Sequence, residues 1–66
     1  MKIVSIINVA IVGRAIVYLN EGEFMVKFWK GKDFQRGAEY YTDDKDDAIN
    51  TAYFQLNAWK QTEETV

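Results

Sequence analysis

Apolar and polar positions along this chain fall into two regimes, a strand-like first two-thirds and a helix-like last third. Residues Lys2 to Leu19 form one long apolar stretch in which nine of the first 19 residues are Ile or Val. That is too long for an ordinary strand of about five or six residues. The stretch therefore reads as two strands, about 2–8 and 10–19, with a bend near Asn8 or a bulge at Gly13. Asn20-Glu21-Gly22-Glu23 is a turn between apolar runs, which predicts an antiparallel hairpin of 10–19 with a third strand at 23–30. Lys30-Gly31-Lys32-Asp33 is a second turn, and Ala38 to Thr42 reads as a fourth short strand.

The period then changes. Thr42, Asp43 and Asp44 are each able to accept from free backbone N–H groups at a helix start. Asp46 or Asp47 is placed to complete a capping box and to oppose the positive end of the helix dipole. Beyond them Ile49, Ala52, Tyr53, Leu56 and Trp59 recur at helical spacing, so one face is apolar over a helix of about 45–61, with 62–66 frayed. The expected fold is α+β: a three- or four-stranded antiparallel β-meander with one C-terminal α-helix packed on one face, in a single domain spanning 1–66.

The strands are apolar on both sides. In 23–30, Phe24, Val26 and Phe28 point one way and Met25, Lys27 and Trp29 the other, while Ala10, Val12, Ile16 and Tyr18 are as apolar as the residues between them. One helix covers one face only. The other must be covered by a second layer built from Ile3 to Asn8, or by a second chain packed face to face. Small size favours the second chain and hence a homodimer, because a 66-residue domain rarely builds a sufficient core without staples.

Composition narrows the chemistry. Cys, His and Pro are absent, which removes disulfides, the usual zinc ligands and thiol or imidazole catalysis. No Ser or Thr stands beside a recognisable base, and Gly31 and Gly37 are too isolated to form a phosphate loop. The expectation is therefore no enzyme, no catalytic residue, no cofactor and no metal. Residues Met1 to Leu19 imitate a secretory signal in outline, but Ser5, Asn8 and Arg14 interrupt the run and its β-branched content suits a strand. Arg14 and Asn8 also deny it the roughly 20 apolar residues of a membrane span. No membrane partner and a cytoplasmic location are expected.

The net charge of −2 conceals an asymmetry: residues 1–36 carry six Lys/Arg and three Asp/Glu, residues 37–66 two and seven, so the halves are +3 and −5. Asp43-Asp44-Lys45-Asp46-Asp47 lacks the spacing of a calcium loop and reads first as a capping cluster. Closely spaced carboxylates also imitate phosphates, which makes the cluster a complement for a basic groove on another protein. Lys27, Trp29, Lys30, Lys32 and Arg36, interleaved with Phe34, Tyr40 and Tyr41, form the opposite patch. That pattern of cations and rings suits single-stranded nucleic acid, although lysines also guard edge strands and aromatics fill sheets. Phe54 lies about 140° around the helix from Ile49 at 100° per residue, and with Thr51 and Ala58 it forms a second candidate contact face.

The stretch from Met25 to Leu56, MVKFWKGKDFQRGAEYYTDDKDDAINTAYFQL, resembles short uncharacterised proteins of tailed bacteriophages. The resemblance rests on the Val-x-Phe-aromatic strand, the Gly-Lys turn, the Tyr-rich strand and the T-D-D-x-x-D-A-I helix start, and it spans about half the chain. It implies a phage-like origin and a role in binding a host macromolecule, and it carries over no functional residue. The leading expectation is a non-enzymatic protein that associates with another protein, a host protein or its own copy, through Met25, Lys27, Trp29 and Phe54. The alternative is a weak single-stranded nucleic-acid binder using Lys27, Trp29, Lys30, Lys32 and Arg36.

Overall fold

The computed structural model describes residues 1–64, with side chains through residue 61. It is an antiparallel sheet with one helix laid across one face. The strands are β1 (Lys2–Val9), β2 (Gly13–Asn20), β3 (Glu23–Lys30), β4 (Asp33–Phe34) and β5 (Tyr40–Thr42), and the helix is α1 (Lys45–Glu64). The order across the sheet is β1-β2-β3, and β3 then pairs with β4 at its C-terminal end and with β5 at its N-terminal end. The expected α+β meander is thus present, with a two-residue strand added at Asp33–Phe34. The last expected strand narrows from 38–42 to Tyr40–Thr42, and the helix runs to Glu64 instead of ending near residue 61. Of the expected fraying, residues 65 and 66 lie outside the described residues.

β2 and β3 meet without a break from Gly13↔Lys30 to Asn20↔Glu23, closed by the two-residue turn Glu21-Gly22. Both turn residues have positive φ, 52° and 81°, the backbone of a type I′ turn whose twist matches that of the flanking strands. Glycine adopts this conformation freely, whereas glutamate is sterically opposed by its Cβ, at about 1 kcal/mol. Glu21→Asn should therefore raise stability by about 1 kcal/mol, seen as a melting temperature higher by about 5 °C. An unchanged or lower value in a thermal melt would contradict the turn assignment.

The first hairpin departs from expectation. Ala10, Ile11 and Val12 form the connection between β1 and β2, closed by the Val12 N–H donating to the Val9 carbonyl at 3.1 Å. There is no bulge at Gly13, which instead pairs with Val9 on one side and Lys30 on the other. Glycine is required there by proximity: a methyl group would fall on the carbonyl oxygen of Trp29. The irregularity lies between Ile3 and Ser5, where Val4 is the extra residue of a β-bulge and packs on the core. Nor does β1 fold over as a second layer. It extends the sheet as its outer strand, because its register with β2 lets Ile7 and Val9 share the core with Ala15 and Val17.

The core lies between this face and the helix. Ile7, Ala15, Val17, Val26 and Phe28 meet Ala48, Ala52 and Leu56, flanked by Ile49 and Trp59. Ala48 and Ala52 are fully buried, and their small side chains let the helix backbone approach the sheet closely. That rolls the helix slightly from the expected axis and leaves Tyr53 half exposed at the rim. Trp59 meets Phe28 edge to face with centroids 5.9 Å apart, a favoured aromatic geometry.

The helix start is built differently from a capping box. Asp44 is the N-cap: its Oδ1 accepts from the N–H groups of Asp46 and Asp47 at 2.9 and 3.3 Å, while its own N–H donates to Thr42 Oγ1 at 3.2 Å. The Asp47 carboxylate does not return to the cap. It turns to β5 and accepts from the Tyr40 hydroxyl at 2.6 Å.

Candidate functional site: the open face of the sheet

Residues paired directly across antiparallel strands share a face, so the register sorts every side chain to the helix side or the open side. The open side carries three rows. The first is Ile3, Tyr18, Met25 and Tyr41; the second is Ile6, Ile16 and Lys27; the third is Asn8, Arg14, Trp29 and Phe34. Among the described residues no element covers them. Ile3 and Ile6 are 52% and 54% exposed and Tyr41 is also exposed, whereas Ile16 and Met25 are each reduced to 9% by their neighbours.

Two cations lie over rings on this face. The Lys27 ammonium sits 5.6 Å from the centre of the Tyr18 ring and the Arg14 guanidinium 4.9 Å from that of Trp29. Trp29 in turn meets Phe34 at 5.3 Å with the ring planes tilted by 52°. Such contacts hold the charged groups flat on apolar surface and order them without removing them from water. Along the sheet, the first two rows are predominantly aliphatic and aromatic, and the third is a cation–aromatic stack.

The residues expected to make contacts divide accordingly. Met25, Lys27 and Trp29 come together on the open face, with Met25 lying beneath its neighbours. Phe54 is 75% exposed on the helix, away from the side that packs on the sheet and therefore not part of this face. The five-residue nucleic-acid set does not converge. Lys27 and Trp29 point to the open side, but Lys30 has the opposite parity in β3 and its ammonium lies 5.8 Å over the Trp59 ring on the helix side. Lys32 stands in the turn after β3, and Arg36 is exposed in the loop before β5. Tyr40 and Tyr41 separate in the same way, one to the helix side and one to the open side. Arg14 was not among the expected contacts, because a single cation in an apolar strand gives no signal until the register sets it opposite Trp29.

Phe54→Ala should change folding stability by no more than about 0.5 kcal/mol, as expected for a surface substitution that breaks no buried contact. A loss several times larger in urea unfolding would place Phe54 in the core instead.

Two carboxylates of the acidic cluster are committed to local structure. Asp44 caps the helix and Asp47 is engaged by Tyr40. Among the described residues no three carboxylates converge as a metal-ligand set. The Asp47 hydrogen bond raises the Tyr40 pKa above its ordinary 10.0, with partial burial and the Asp47 charge acting in the same direction and Thr51 opposing. A phenol whose pKa is higher in the folded state than in the unfolded state holds its proton more tightly when folded. Its contribution to stability is complete below about pH 10 and disappears as pH rises through the folded value. Denaturation midpoints should therefore fall with rising alkalinity in the native protein and fall less in Tyr40→Phe. Equal slopes for the two would show that the hydrogen bond does not form.

Among the described residues no helix is long and apolar enough to cross a membrane. No family model, curated protein or solved structure matches the chain, which leaves the geometry of the open face as the ground for a functional reading.

Proposed function

We propose that this protein acts by association rather than catalysis, and that its first two open rows form the interface of a homodimer. The observation that carries this reading is the face itself: Ile3, Ile6, Tyr18 and Tyr41, set over the buried Ile16 and Met25, make an apolar surface beside Lys27 on the side away from the helix. An apolar patch of this kind marks a contact site. The two rows cover about four residues of strand length at about 3.3 Å each, across up to four strands about 4.8 Å apart, a patch of roughly 250 Å². Two copies then bury about 500 Å², the scale of a weak, concentration-dependent association.

A sheet face is also nearly flat, and a two-fold axis through it sets identical apolar rows against each other. Pairing through the free edge of β1 is less favoured, because the bulge at Val4 interrupts the ladder that an added strand would need. Backbone and methyl NMR shifts followed over a dilution series test the assignment. Ile3, Ile6, Ile16, Tyr18 and Tyr41 should move together while Phe54 stays fixed. Shifts confined to β1 amides would favour the edge, and a spectrum independent of concentration would remove the dimer.

A further inference from the structure

The third row is a different kind of surface. Beside it, the β1–β2 and β3–β4 turns enclose an open concavity of about 510 Å³ lined by Asn8, Ile11, Arg14, Trp29 and Lys32 among others, with no carboxylate in its wall. This is notable in a chain with ten acidic residues. Strand direction explains it. Glu21, Glu23, Asp43, Asp44, Asp46 and Asp47 belong to the end of the sheet where β2 turns into β3 and where α1 begins. Arg14 and Lys32 belong to the opposite end, where Asp33 stands across from Lys30 in the β3–β4 pair and does not line the concavity.

Three features make the basic end selective for an anion with a planar body. Arg14 holds its guanidinium 4.9 Å from the centre of the Trp29 ring and lines the concavity, and a guanidinium offers the paired donors that phosphate oxygens accept. Lys32 supplies a second cation from the facing turn. Trp29 lines the concavity, with Phe34 packed beside it at 5.3 Å and tilted by 52°, and an indole is a surface on which a base can lie. The rim is also shaped at a cost: Ile11 is 95% exposed with φ of 72°. A β-branched residue is strongly disfavoured there, and the surrounding structure holds it in the turn that closes one side of the concavity.

We propose that this concavity binds a nucleoside phosphate, with the phosphate between Arg14 and Lys32 and the base against Trp29. The ligand is either a nucleotide within a single strand or a free nucleotide, since both present the same chemistry. The site is built on row three and the turns, and it stands whether or not rows one and two pair two copies.

Fluorescence polarisation with a labelled oligothymidylate, read on the intact chain, tests it. Affinity should fall about sevenfold between 50 and 200 mM salt, as two phosphate contacts to a single strand imply. Arg14→Gln should weaken binding about tenfold, with an unchanged circular dichroism spectrum. Lys30→Gln, on the helix side, should leave binding unchanged. Displacement by thymidine monophosphate assigns the site to single nucleotides, and failure to displace assigns it to strands. The proposal is overturned by no binding at low salt, by equal losses in the Arg14 and Lys30 variants, or by inorganic phosphate competing as well as the nucleotide.

Discussion

Phe28→Ala should cost about 4 kcal/mol of folding free energy and leave the protein largely unfolded or close to it at room temperature. Phe28 is 2% exposed and lies in β3 against Trp59 of the helix, within the cluster that joins Val17, Val26 and Leu56. Removing a buried phenylalanine loses its transfer free energy and leaves a cavity that the sheet and helix cannot close without breaking register, typically 3–5 kcal/mol in total. A domain of this length has on the order of 3–10 kcal/mol to lose. The substitution therefore takes a large share of the whole, and a chain without cysteine has no disulfide to compensate. Urea unfolding followed by tryptophan fluorescence gives the value directly. A loss below about 1 kcal/mol would mean that the helix does not pack on this face of the sheet, and the division into a covered and an open face would fail with it.

Ile6→Glu should separate the proposed dimer while sparing the fold. Ile6 is half exposed on the outer strand, beside Ile16 and in line with Lys27, so in one chain the new carboxylate remains hydrated. In the paired faces it would be buried against apolar side chains in both copies. At about 2 kcal/mol for each polar group buried without a partner, the two substitutions weaken association by about 4 kcal/mol, or roughly a thousandfold. The circular dichroism spectrum should be unchanged and the mass halved. A variant that remains dimeric would move the interface to another surface, the edge of β1 or the side of the helix around Phe54.

Much of this arrangement was legible along the chain because the signals were local. The turn residues Asn20 to Glu23 fixed the β2–β3 hairpin, Thr42 to Asp47 fixed the helix start, and apolar residues of both parities in β2 and β3 announced a sheet with a face to spare. Ala10-Ile11-Val12 was not legible as a turn. Its residues are those of a strand, and only the tertiary structure holds Ile11 in a backbone conformation that its side chain opposes. Asp33–Phe34 was missed because two residues are too few to show a period.

The candidate surface was half visible for a related reason. Residues Lys27 to Arg36 read as one basic patch, yet strand alternation sends Lys30 to the helix side and Lys27 to the open side. The guanidinium that completes the aromatic stack comes from Arg14 on a neighbouring strand. Pairing across strands is a long-range property, and it decides which charges act together. The Asp47–Tyr40 hydrogen bond has the same origin, since a capping-box reading considers only the residues of the helix start and not the strand packed beside it.

Sedimentation equilibrium of the native chain over a wide concentration range tests the central claim most directly, that the uncovered apolar rows serve association with a second copy. The fit should give twice the 7.7 kDa chain mass as protein concentration rises, and the chain mass alone for Ile6→Glu under the same conditions. A native protein that sediments as a single chain at every concentration would contradict it.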